Sequence, residues 1–147
     1  MKDTTIDLAE GWMFPYPPSK PSQQMNPITL AYIGDAIYEV MVRQWILSQP
    51  NHRPHHMHRE AISYVSAKAQ AKLLGKLMDR LSEEEANVVR QGRNAKSQVP
   101  KNADVNDYRQ ATALEALVGY LYMENKLDRL REIAAVLFEE RVHEDER

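Results

Sequence analysis

The chain has 147 residues, 43% of them hydrophobic, a net charge of −2 and no cysteine. That length supports one domain, burying about 68–70% of the unfolded surface, and the missing thiols exclude a disulfide framework and thiolate zinc sites. No apolar run reaches the roughly 20 residues that cross a bilayer, and no basic-then-apolar leader opens the chain, so a cytoplasmic protein without membrane partners is expected.

Residues 1–25 read as a Pro-rich arm. Five of the eight prolines lie in "FPYPPSKPSQQMNP", and proline removes a backbone donor and resists helix and central strand alike. Trp12, Phe14 and Tyr16 are expected to pack the arm on the domain surface. From 26 to 142 the texture is helical, and 143–147 form a charged tail. Asn26 suits an N-cap and Pro27 a first helical position for a helix over 28–48. Leu30, Ile33, Ile37, Val40 and Met41 share one stripe of it. Ala31, Tyr38, Val42 and Trp45 widen that stripe until only Asp35, Glu39 and Arg43 stay polar, the pattern of a central helix buried nearly all round. Gly34 within it costs close to 1 kcal/mol relative to alanine, which close approach of another backbone would offset.

Next comes "HRPHHMH", where His52, His55 and His56 flank Pro54 in an expected turn. Loop capping or RNA contact suits these rings and His58 better than zinc, since no cysteine accompanies them. A second helix over 57–73 carries Ile62, Val65, Ala69 and Leu73 and continues past Gly75. Ser82 and Glu85 form a capping box for a short helix ending near Gly92. The acids of "SEEEA" could belong to an all-α nucleotide pyrophosphohydrolase, but their place at a helix start, where they complement the dipole, accounts for them. Residues 92–104 read as a loop. Helices over 105–124, burying Leu114, Leu117, Val118 and Leu121, and over 126–142 close an all-α bundle.

Two features suggest chemistry. Asp35 and Glu115 are acids that their apolar helices do not require, and a buried carboxylate is usually paired, protonated or bound to metal. Carboxylates on facing helices are hard ligands of the kind Mg²⁺ or Mn²⁺ prefers. The alternative is that Asp35 pairs with Arg43 or Arg109 while Glu115 lies on an exposed edge. The second feature is charge. Residues 52–101 net +5 while the remainder nets −7, and a local patch steers polyanions more than bulk charge does. Arg90, Arg93, Lys96 and Lys101, with Asn94, Ser97 and Gln98, suit phosphate and 2′-hydroxyl contacts. Lys68 and Lys72 extend that patch. The plainer reading is a solvated loop.

"LAYIGDAIYEV" resembles the signature helix of the ribonuclease III catalytic domain, and "ALEALVGYLY" its later glutamate-bearing helix. More narrowly, "HREAISYVSAKAQAKLL", "RQGRNAKS" and "PKNADVNDYRQATALEALVGYLYMEN" are similar to the Mini-ribonuclease III family, over about residues 26–140. The resemblance implies a homodimeric all-α endonuclease that cuts double-stranded RNA with Mg²⁺, for which Mn²⁺ can substitute. Its implied task is trimming precursor 23S ribosomal RNA, helped by a large-subunit ribosomal protein. Asp35 matches the metal-binding aspartate and Glu115 the essential glutamate; the 92–101 loop matches the RNA-reaching segment. Ile33, Gly34 and Ile37 would lie at the dimer seam, and Glu39 would pair with Arg43. Two further acids of full-length ribonuclease III are absent, at Ala31 and Thr112, so metal should be held through more water. A non-catalytic RNA-binding protein on the same fold remains the rival reading.

Overall fold

Nearly every segment with apolar residues at helical spacing folds as a helix in the computed structural model, which describes residues 12–96 and 98–145. Residues 1–11 of the arm, Ser97 and the last two residues of the charged tail lie outside that description. Among the described residues six α-helices follow one another: α1 (Pro27–Leu47), α2 (Pro54–Val65), α3 (Ala67–Leu77), α4 (Glu83–Asn94), α5 (Val105–Met123) and α6 (Leu127–Asp145). Single 3₁₀ turns at Ser22–Gln24 and Met78–Arg80 complete the order, and there is no strand among the described residues.

Local chemistry sets most of the boundaries. Asn26 accepts a hydrogen bond from the Ile28 amide at 2.8 Å, and Pro27 opens α1. Ser82 and Glu85 exchange both bonds of a capping box, at 3.1 and 2.9 Å. Asp104 accepts from the Asp107 amide at the start of α5. Asn125 takes a left-handed φ of 56° in the turn between α5 and α6, a conformation in which asparagine is tolerated.

The expected helix over 57–73 is two helices. Ser66 takes an extended ψ of 154°, and its hydroxyl accepts from the Ala69 amide, so the chain stops and re-caps there. The break resets the helical phase. Ile62 is consequently exposed, and the buried side of α3 is Gln70, Leu73, Leu74 and Leu77. Pro54 opens α2, so His55 and His56 lie on a helix instead of in a turn, and His58 is helical as expected. His52 Nε2 donates to the Leu47 carbonyl at 3.1 Å, satisfying a free acceptor at the end of α1.

The helix buried nearly all round is α5, not α1. From Ala111 to Leu121 every residue of α5 except Glu115 is buried; α1 makes its most extensive contact, followed by α4 and α3. The buried face of α1 is Leu30, Ala31, Gly34, Tyr38, Val42 and Ile46. Of the expected stripe only Leu30 is fully buried; Val40 is 51% exposed, and Ile33 and Ile37 are half-buried. Small residues decide the phase. A methyl group at Gly34 would overlap the Glu115 carbonyl oxygen, and one at Gly119 would overlap that of Leu30. The two backbones thus touch along Gly34 and Gly119, and the close approach that Gly34 permits is used within the chain. Its place at a seam between copies is therefore corrected.

Elsewhere the acids of "SEEEA" are structural. Arg129 on α6 forks onto Glu85 with two bonds of 2.9 Å and donates to the Arg80 carbonyl at 2.7 Å, a bidentate geometry that holds a buried carboxylate. Glu84 accepts from the Tyr120 hydroxyl at 3.3 Å. The arm is anchored by Ser22, which is fully buried, and by Gln23, which donates to Tyr120. Phe14 and Tyr16 stand exposed, contrary to their expected packing.

Gly75 differs from the other helical glycines. It is exposed within α3 and nothing lies within 4 Å of where a Cβ would stand. Gly75→Ala is expected to stabilise the protein by close to 1 kcal/mol, the helix-propensity difference. Urea unfolding checks it, and an unchanged or lower midpoint at constant slope would contradict it.

Candidate active site

The crossing of α1 and α5 brings the two singled-out carboxylates together. Gly34 lets α1 descend onto the Glu115 carbonyl, and the next residue, Asp35, lies against the Glu115 carboxyl within hydrogen-bond reach. Asp35 itself is exposed at the rim and Glu115 is partly buried behind it. The expectation of a buried Asp35 is therefore corrected: the partly buried acid is its neighbour. Burial, followed by the Asp35 charge, holds the Glu115 carboxyl up at about 8 against an ordinary 4.5. The Tyr38 hydroxyl, fully buried beside this pair, donates to the Tyr64 carbonyl at 2.9 Å and is held above its usual range by burial and by the Glu115 charge.

A third group joins the pair. Gln70 on α3 is 3% exposed, and its Nε2 donates to Glu115 Oε2 at 3.4 Å and to the Val65 carbonyl at 3.0 Å. Sequence reasoning missed it, although a signal existed: Gln70 occupies the apolar register of α3 with Leu73, Leu74 and Leu77.

The alternative partners of Asp35 are not realised as expected. Arg43 bonds Glu39 through Nε at 3.1 Å, as anticipated for that pair, and Arg109 is exposed on α5. Thr112 is buried and donates to the Tyr108 carbonyl at 3.0 Å, while Ala31 is packed against the core. Neither position presents an oxygen to the pair.

Of the expected RNA contacts, Lys68 and Lys72 stand exposed on α3, and Lys96 and Lys101 on the connection to α5. Arg90 and Asn94 are exposed on α4, which continues past Gly92 to Asn94. That end lies near Gly92 as expected, and the glycine serves packing: its Cβ would stand 2.9 Å from the Ala113 Cα. Arg90 bonds Asn87. Arg93 is half-buried, its Nε donating to Gln110 Oε1 at 3.1 Å, so it also ties α4 to α5. Ser97 lies outside the described residues.

The donor set suits a small hard cation. Among the described residues no three His, Cys, Asp or Glu converge as metal ligands, and what the α1–α5 crossing offers is two carboxyl groups in contact. Mg²⁺ is commonly held by one or two carboxylates while it keeps several waters and meets substrate phosphates. Two adjacent carboxylates, one of them reluctant to ionise alone, fit such an ion.

A family model described as "Ribonuclease III domain" matches residues 28–126. A Mini-ribonuclease 3 from Brevibacillus brevis is 52% identical over 114 residues, covering 77% of this chain and 85% of that one. Another from Symbiobacterium thermophilum is 50% identical over 120 residues, covering 80% and 92%. A crystal structure of a protein from Fusobacterium nucleatum superposes with a TM-score of 0.76 at 28% identity, covering 84% of this chain and 99% of its own.

Proposed function

The chain belongs to the ribonuclease III domain family, among the Mini-ribonuclease 3 proteins, and from that premise we propose that it is a Mg²⁺-dependent endoribonuclease of duplex RNA whose catalytic pair is Asp35 and Glu115. The observation that carries the reading is the contact of these two carboxylates at the α1–α5 crossing. They would hold the cation, with Mn²⁺ able to replace Mg²⁺. The bound ion supplies Lewis-acid chemistry: it polarises the phosphodiester and lowers the pKa of water. Asp35, at the rim, faces the solvent from which RNA arrives; Glu115, anchored in α5, is fixed by Gln70. Hydrolysis then leaves a 5′-phosphate and a 3′-hydroxyl.

The exposed cations Lys68, Lys72, Arg90, Lys96 and Lys101 would carry the phosphate contacts, joined by Arg93 and Asn94 of α4 and, by its place in the sequence, Ser97. Such contacts position a duplex without reading its sequence. The outer side of α1 supports pairing with a second copy. Tyr32 is 84% exposed, and Val40 with half-buried Ile33 and Ile37 leaves apolar surface on that helix outside the core. A two-fold contact there would set two active sites, one for each RNA strand. Precursor 23S ribosomal RNA, shaped by a large-subunit ribosomal protein, is the substrate we assign, in the cytoplasm; no helix among the described residues is long and apolar enough to cross a membrane.

Asp35→Asn tests the assignment. Because Asp35 is exposed, the fold should survive, and the variant should retain RNA-duplex binding while losing Mg²⁺-dependent cleavage by about 10³-fold, several kcal/mol of barrier. Cleavage of a labelled duplex and filter binding are measured in parallel. A variant that still cuts at the native rate would remove Asp35 from the mechanism, and a native protein that binds but never cuts would favour the non-catalytic reading.

A further inference from the structure

We infer that Gln70 is a positioning residue that orients the Glu115 carboxylate for the cation, an inference that rests on reading Asp35 and Glu115 as the metal-binding pair. Gln70 lies on the buried side of α3, in a register otherwise filled by Leu73, Leu74 and Leu77. An amide at such a position is costly unless its hydrogen bonds are made. A leucine there would satisfy packing without that demand, so the amide calls for a reason other than stability.

The geometry supplies one. The Val65 carbonyl, left open where α2 ends at Ser66, can only accept, so the nitrogen of the Gln70 amide must face it. That bond fixes which way the amide is turned. The remaining proton of the same nitrogen is thereby aimed at Glu115 Oε2, 3.4 Å away. One carboxylate oxygen of Glu115 is thus tethered through Gln70 to the backbone at the α2–α3 break. The carboxylate is held from α3 on one side and meets Asp35 of α1 on the other. The amide's other end, Oε1, is buried and meets no donor among the described residues. The side chain is therefore kept despite an unmet acceptor, as expected of a group selected for what its nitrogen holds. Groups that orient metal ligands typically contribute about 10–100-fold to metal affinity or activity when removed.

The test is calorimetric titration of Mn²⁺ into the full chain without RNA, for the native protein, Asp35→Ala and Gln70→Met, whose side chain is close in volume. The expected result is measurable binding to the native protein, none to Asp35→Ala, and about 10–100-fold weaker binding to a folded Gln70→Met. In cleavage assays the same variant should lose kcat with KM for the duplex unchanged, and regain it as Mg²⁺ is raised. A merely structural role would not move metal affinity in a folded protein. Gln70→Met binding Mn²⁺ within twofold of the native protein overturns the inference and leaves the metal pair standing, whereas a native protein that binds no Mn²⁺ overturns the pair itself. Should Gln70→Met not fold, Gln70→Leu replaces it. The native protein also gives a direct reading by nitrogen-15 spectroscopy. The Gln70 side-chain amide protons should exchange slowly and shift when Mg²⁺ is added; a fast-exchanging amide indifferent to Mg²⁺ overturns the inference.

Discussion

Glu115→Gln is expected to raise the melting temperature of the metal-free protein above pH 8 by several degrees while lowering RNA cleavage by about 10³-fold, the loss of a few kcal/mol of transition-state stabilisation. The two effects share one cause. Burial and the Asp35 charge hold the Glu115 carboxyl at about 8 in the fold, against an ordinary 4.5. Below pH 4.5 both the folded and the unfolded chain carry the proton, so this residue makes no pH-dependent contribution. Between 4.5 and about 8 the fold retains a proton that the unfolded chain has released, and stability falls as pH rises through that window. Above 8 both states are ionised and the whole destabilisation is present. Glutamine is neutral throughout, so the difference between variant and native protein should grow from near zero at pH 4 to its full size at pH 9. About 1 kcal/mol shifts the melting temperature of a chain this size by roughly 3–5 °C. Mg²⁺ should reverse the order, because a ligand that binds only the fold stabilises it, and the variant lacks one of the two carboxylates proposed to hold the ion. Thermal melts from pH 4 to 9, with and without Mg²⁺, decide it. A native–variant difference that does not vary with pH would mean that Glu115 ionises normally and that the carboxylates do not act as a coupled pair.

What was legible in the sequence follows the range of the interaction involved. The caps at Asn26 and Ser82 were readable because each needs residues only two or three positions apart. Glu115 stood out as an acid in an apolar register, whereas Asp35 stood out only by its apolar neighbours in sequence and lies exposed on the polar strip of α1. The buried face of α1 was not readable: apolar residues surround nearly the whole helix, and only the backbone contact of Gly34 with α5 selects Ala31, Tyr38 and Val42 over Ile33, Ile37 and Val40. The unselected residues stay on the outside of the core, Val40 exposed and Ile33 and Ile37 half-buried. Gln70 was lost to phase. A continuous helix over 57–73 puts Ala69 on the buried stripe, and the break at Ser66 rotates Gln70 into that role.

The same backbone contact makes Gly34→Ala the substitution with the largest expected structural effect. In an exposed helix this change gains close to 1 kcal/mol. At Gly34 the added methyl meets the carbonyl of Glu115, with the Gly119 amide nitrogen 2.8 Å away. These are backbone atoms of the central helix, so no rotamer change relieves the overlap and α1 and α5 must separate. Overpacking of a core commonly costs about 1–3 kcal/mol and occasionally more; with two helices displaced, a net loss at the upper end of that range is expected. Separation should also harm catalysis beyond its effect on stability. Asp35 follows Gly34 in the chain, and Glu115 is the residue whose carbonyl is struck, so the movement that admits the methyl pulls the carboxylates apart. A displacement of about 1 Å in a catalytic group can reduce rate by about 10²-fold. Val89→Ala provides the comparison, since Val89 is buried on α4 and its truncation leaves a cavity without moving α1 against α5. With both variants assayed at a temperature where each is fully folded, Gly34→Ala should cleave duplex RNA about 10²-fold more slowly than Val89→Ala. Equal rates at matched stability would show that the glycine contact supports the fold without setting the distance between Asp35 and Glu115.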